Sequence, residues 1–230
     1  MIAAGEGRRL RPLTETWPKP LLPIDGRPVI ATLLRELAAA GLTRVTVVTG
    51  HLAEQLEKLV GDGSGFGLEV RFARQQRPDG SADAVRVALE AGAATPAIVV
   101  AADTVYRRGD VGRFAEEFAE AGADGGVAVR RDPPPGPGRS AVAVEDGRVT
   151  RIPDEKPSAE LASAALWGLG DAVARELAGL AGPPFELAEA YQRAVDAGAR
   201  VIAVEIGATR DLTRPLDLVR ENFSYLSKGP

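Results

Sequence analysis

The feature that most constrains this chain is an alternation, in which short β-branched runs are separated by amphipathic stretches of about 10 to 15 residues with helical spacing. Val45 to Thr49 is such a run. Before it, Pro28 opens a helix that carries Val29, Ile30, Leu33, Leu34 and Leu37 on one face and stops at Gly41. His51 to Val60 reads as the next helix, with Leu52, Leu56 and Leu59 aligned, and Leu68 to Ala73 as the next strand. A helix capped by Ser81 and running to about Ala91, a strand from Ala97 to Ala102 ending at Asp103, a helix from Asp110 to Ala121 and a strand from Gly126 to Arg130 continue the pattern. Strands joined by helices run parallel and need both faces covered. The prediction is therefore an α/β fold: a three-layer α/β/α sandwich, Rossmann-like, around a mostly parallel mixed sheet. Ligands in such folds gather at the carboxyl ends of strands, where Gly5 and Asp103 fall.

The pattern breaks at the proline run of residues 132–138, which fits neither helix nor sheet interior. Ser140 to Ile152 then alternates around Asp146-Gly147, a hairpin signal that marks the start of a lid or substrate-side insertion. Ser163 to Leu169 and Arg200 to Glu205 read as strands, and Asp171 to Leu180, Glu186 to Ala197 and Arg214 to Leu226 as helices, with Asp211 in a loop. At 230 residues a single domain is expected, with internal divisions near residues 130 and 205.

Composition narrows the chemistry. A formal charge of −4 and a pI near 5.3 argue against a nucleic-acid groove or a polybasic membrane surface. Without cysteine there is no thiol nucleophile, disulfide or thiolate metal site, which fits a cytoplasmic protein. The single histidine, His51, leaves little room for a zinc site or a serine triad; it stands at a strand-to-helix turn and reads as structural. No long apolar run or leader pattern is present, so secretion and membrane spanning are not expected.

Residues 3–30 point to an anion. A short apolar start, read as the end of a strand that is either brief or cut short by a misplaced start, runs into Gly5 and Gly7. Arg8 and Arg9 follow, and a proline-studded loop then carries Lys19. Glycines let backbone N–H groups approach a phosphate, and fixed cations neutralise it. Of 28 cations only Lys19, Lys58, Lys156 and Lys228 are lysine, and two of these sit beside prolines, where a compact ammonium suits a phosphate oxygen. The glycine pair lacks the third glycine of the dinucleotide fingerprint and the GK[ST] of a Walker loop.

The extended run GEGRRLRPLTETWPKPLLP resembles the signature of the sugar-1-phosphate nucleotidyltransferases, the NDP-sugar pyrophosphorylases. Further stretches keep the resemblance in order over nearly the whole chain: residues 61–72, GSADAV at 80–85, VVAAD at 99–103, EKP at 155–157 and DLTRPLDLVREN at 211–222. The resemblance implies that residues 1–130 form a nucleotide-binding half, 131–205 a sugar-phosphate part and lid, and 206–230 a closing metal loop and helix. It implies Mg²⁺ held by Asp103 and Asp211, the triphosphate against Arg9, and Lys19 bridging the reacting phosphates. Lys156 would hold the phosphate of the sugar and Glu155 its hydroxyls. Ala3, Ala4, Gly5, Gly7 and Gly80 would line the nucleotide.

Gln75 stands where pyrimidine-using relatives place a base-reading glutamine, although a one-residue shift would give that role to Gln76. Trp167 is open between stacking on the sugar and packing in the core. Departures from the family pattern are Ala102 in place of glycine, Thr209 and Arg210 in place of an aromatic, and the short first strand. The implied reaction joins a nucleoside triphosphate, UTP or dTTP, to a sugar 1-phosphate of glucose type, in a protein with a possible homodimeric assembly. Transfer from GTP or CTP to a mannose, heptose or MurNAc phosphate or to phosphocholine, or a nucleotide-sensing module without catalysis, are the alternatives. No acetyl transfer is expected, since 230 residues leave no room for the β-helix of longer relatives.

Overall fold

A computed structural model describes residues 1–136, 139–153 and 159–223. The chain forms two compact units, one of Met1–Pro78, Ala101–Val105 and Arg210–Pro230, the other of Asp79–Val100 and Tyr106–Thr209.

The first unit is built on a parallel sheet in which Arg44–Thr49 lies between Ile2–Ala3 and Glu69–Arg74. Val47, Val48 and Thr49 are fully buried, as a strand covered on both faces requires. Helix Val29–Ala39 buries the predicted stripe of Val29, Ile30, Leu33, Leu34 and Leu37. Helix Ala53–Val60 begins later than expected: Leu52 precedes it with φ 52°, and Leu59 faces solvent. Its buried stripe is Ala53, Leu56 and Val60, still at helical spacing but rotated from the predicted one. Between Arg8 and Leu21 the prolines leave three single 3₁₀ turns, and Pro23–Ile24 pairs with Arg27–Pro28 in a small hairpin that the sequence reading did not contain. Asp211, predicted in a loop, lies in the short strand Arg210–Asp211, antiparallel to Thr104–Val105. The closing helix is Pro215–Asn222; residues 224–226, predicted to extend it, lie outside the described residues.

The second unit corrects one expectation. Its six-stranded sheet has the order Ala97–Val100, Ala162–Leu169, Gly125–Arg130, Val201–Glu205, Arg148–Arg151, Ala143–Glu145. Among the described residues only Gly125–Arg130 and Val201–Glu205 pair in parallel there. The α/β class and the mixed sheet stand, but the mostly parallel pairing holds for the first unit alone. The cause is Ala162–Leu169, which follows the hairpin of Ala143–Glu145 and Arg148–Arg151 and runs antiparallel to both neighbours. That hairpin turns at Asp146-Gly147, with φ of 50° and 73°, as a two-residue primed turn demands. Ser81 does not cap its own helix, Ser81–Glu90, whose N-cap is Gly80. Its hydroxyl instead accepts from the Leu187 N–H at 2.8 Å, so it caps helix Leu187–Asp196.

Candidate functional site

The loop after the first strand is shaped by packing at Gly7. This residue has φ 62°, and a Cβ placed there would stand 2.9 Å from Thr14 Cγ2 and 3.3 Å from Lys19 Cβ. Only glycine lets the loop fold back this closely. Thr14 is almost wholly buried, and its hydroxyl donates to the Gly7 carbonyl at 3.0 Å. The turn therefore brings Lys19, twelve residues on in the chain, directly over Gly7. Beneath it Leu10, Leu22, Ile24, Val29 and Leu212 form one apolar cluster. Leu10 follows Arg9 and Leu212 follows Asp211, so the same cluster seats the arginine turn and the strand that carries Asp211.

A cavity of about 320 Å³ opens at this loop, lined by Ala3, Gly5, Gly7, Arg8, Arg9, Lys19, Asp103 and Thr213 among others. Lys19 Nζ donates to Asp103 Oδ2 at 2.5 Å. Burial would push the Asp103 carboxyl up, but the charge and hydrogen bond of Lys19 outweigh it and hold the group below the usual carboxylate range. Asp103 is thus an anion in the folded protein. The pairing of Asp211 with Thr104 places it one residue from the register position of Asp103 on a neighbouring strand. Thr213 donates to Asp211 Oδ1 at 3.3 Å. Arg8 is held by Glu6 at 2.7 Å and Arg9 is exposed at the mouth. Such a site offers two arginines and a lysine to an anion, beside the Asp103 carboxylate, while Asp211 is not among the residues that line the cavity.

A sequence profile of the nucleotidyl transferase family matches residues 1–212. The chain belongs to that family. The chain is 31% identical to the glucose-1-phosphate thymidylyltransferase of Streptomyces griseus and 29% identical to the low-salt glycan biosynthesis nucleotidyltransferase of Haloferax volcanii. Each alignment covers 96% of this chain and 64% of the relative, so the chain spans less than two thirds of their length. Among solved structures, the inositol-1-phosphate CTP transferase of T. maritima superposes with a TM-score of 0.81 at 20% identity, covering 98% of this chain and 91% of the other. At that identity the likeness speaks for the fold.

The predicted site residues are divided between the two units. Ala3, Gly5, Gly7, Arg9, Lys19 and Asp103 line the cavity of the first unit. Ala4 is not among its lining residues: it is buried against Gly50, and its carbonyl accepts from the His51 N–H. Gln75 is buried at the end of strand Glu69–Arg74, with its N–H on the Thr49 carbonyl, whereas Gln76 is exposed. Gly80 belongs to the second unit, where the Phe185 backbone lies so close that a Cβ would stand 2.3 Å from its oxygen. Trp167 also lies there, 8% exposed, its ring 4.7 Å from that of Tyr191. Its strand pairs on both sides, and the burial of its side chain fits the core-packing alternative of the two left open by the sequence. Glu155 and Lys156 lie outside the described residues. Sequence reasoning missed the roles of Thr14, which holds Gly7 and meets the His51 ring, and of Thr213. Both lie in stretches that carry the family resemblance, which is the signal that could have found them.

Proposed function

We propose that the protein joins a nucleoside triphosphate to a sugar 1-phosphate, releasing pyrophosphate, with UTP or dTTP and a glucose-type hexose as substrates. The observation that carries this reading is the convergence of Gly5, Gly7, Arg9, Lys19 and the ionised Asp103 on one cavity. A sugar phosphate is largely dianionic near neutral pH and needs no strong base. One of its oxygens attacks the α-phosphorus, a P–O bond forms, and the bond to the leaving pyrophosphate breaks with its electron pair. The task left to the protein is to bring two anions together in line and offset their charge.

In this scheme Arg9 neutralises the leaving phosphates and Lys19 moves from Asp103 toward the reacting phosphate oxygens. Lys156 and Glu155 hold the sugar phosphate, as the resemblance implies. Asp103 and Asp211 would hold Mg²⁺, which supplies a hard positive charge to the phosphate oxygens when bound. Gln75 would read the pyrimidine edge.

The test crosses UTP, dTTP, CTP and GTP with glucose, mannose and other sugar 1-phosphates, with and without Mg²⁺, and measures pyrophosphate release. The expected result is turnover that requires Mg²⁺ and is fastest with UTP or dTTP and glucose 1-phosphate. Asp103→Asn is expected to lose at least about a hundredfold in rate. Wild-type turnover in that variant would overturn the metal assignment, and no release with any pair would overturn the reaction.

A further inference from the structure

The sole histidine of the chain looks structural in the sequence, yet in the fold its side chain reaches the anion loop. His51 Nε2 lies 2.7 Å from the Thr14 carbonyl, 37 residues away in sequence. A carbonyl only accepts, so Nε2 carries the hydrogen in the neutral ring as well as in the cation. Thr14 in turn grips Gly7 through its hydroxyl and packs where a Cβ on Gly7 would be, and that same missing Cβ leaves room for Lys19. Gln55 adds a second tie, donating to the Thr16 carbonyl at 2.9 Å. The backbone of His51 is fixed independently, its N–H on the Ala4 carbonyl at the end of the first strand.

We infer that His51 is a positioning residue, whose Nε2–H pins Thr14 and, through it, holds the Gly7 turn and Lys19 in the arrangement that receives the phosphates. The loop from Arg8 to Leu21 contains single turns in place of any long helix or strand, so regular backbone pairing does little to hold it. Side-chain ties from His51 and Gln55 supply what the backbone lacks. Because His51 is half-buried and its ring contacts the loop, its removal loosens the loop and leaves the apolar core of the unit in place. This inference rests on the proposal that the loop binds a polyphosphate.

The experiment measures pyrophosphate affinity by calorimetry in wild type, His51→Ala and His51→Gln, with melting temperatures alongside. Wild type is expected to bind, His51→Ala to bind about tenfold more weakly with a melting temperature within a few degrees of wild type, and His51→Gln to recover most of the affinity through its amide N–H. If wild type binds neither pyrophosphate nor any nucleoside triphosphate, the polyphosphate reading itself falls. If wild type binds and His51→Ala binds equally well, the latch alone is overturned, as it is by a folded His51→Gln no better than His51→Ala. Should His51→Ala not fold, the single imidazole of the wild type decides by nuclear magnetic resonance. An Nε2–H tautomer whose signals move on saturation with pyrophosphate supports the latch, and an Nδ1–H tautomer or signals that stay fixed overturn it.

Discussion

The two units use missing side chains for opposite ends. In the first unit the empty Cβ position of Gly7 is filled by Thr14 and Lys19, so a polar loop folds tightly and delivers a cation to a cavity. In the second unit the empty position of Gly168 is filled by the ring of Phe118, three of whose atoms lie 2.6 to 2.7 Å from where a Cβ would be. Phe118 stacks with Phe114, and Tyr191 donates to the Gly168 carbonyl at 2.7 Å, so that glycine seats an apolar core. Close approach is the same device in both. What differs is the residue brought near, a lysine in one case and an aromatic ring in the other, so the first glycine shapes a cavity and the second an apolar core.

The largest expected effect that would break this comparison is that of Gly7→Ala. A left-handed φ costs an alanine about 1 to 2 kcal/mol, and the new methyl would push on Thr14 and Lys19. A displacement of order 1 Å at a charged group costs about a hundredfold in rate. Pyrophosphate release is expected to fall by about that factor, with a smaller loss of stability in a denaturant titration. Wild-type kcat/KM in this variant would show that the Gly7 turn does not place Lys19.

Gly168→Ala should do the reverse. Its methyl would meet a ring that is itself buried, and overpacking of a core typically costs about 1 to 3 kcal/mol. The expected outcome is a loss of about 2 to 3 kcal/mol in chemical denaturation with KM for the nucleotide unchanged. A raised KM with stability intact would erase the contrast between the two glycines.

Much of this contrast is legible in the sequence, and where it is not the reason is physical. The stripe of helix Val29–Ala39 and the turn at Asp146-Gly147 are local: spacing and turn residues report neighbours within one element. The cation loop is also local, and its glycines and lysine stand close enough to be read together. The antiparallel entry of Ala162–Leu169 is not local, because its pairing partners lie more than 30 residues away and are chosen by the whole sheet. The same holds for Lys19 with Asp103, 84 residues apart, which family resemblance could suggest and spacing could not. The Thr14 partner of His51 and the burial of Trp167 against Tyr191 likewise depend on folding that no window of sequence contains.

The smallest effect concerns Arg210, which stands where the family pattern has an aromatic. Its guanidinium donates to both oxygens of Asp25, at 2.5 and 3.0 Å, and to Glu221 at 2.5 Å. It thereby ties the hairpin Pro23–Pro28 and helix Pro215–Asn222 to the strand that carries Asp211. The hydrogen bond from Arg210 holds the Asp25 carboxyl below its usual range, against a lesser opposing effect of burial. A carboxyl lowered on folding contributes stability above its unfolded value and loses it as pH falls through the folded one. The pair is largely solvent-exposed, Asp25 at 69% of its side chain, so screening limits the contribution to about 1 kcal/mol or less. Arg210→Met is therefore expected to be slightly less stable than wild type near neutral pH, and the difference should close as the solution is acidified below the ordinary carboxylate range and narrow in high salt. Denaturant midpoints at the two pH values measure it. A gap that persists unchanged in acid would mean that the hydrogen bond from Arg210 to the Glu221 carbonyl, at 3.2 Å and indifferent to pH, holds the Asp211 strand in place of the ion pairs.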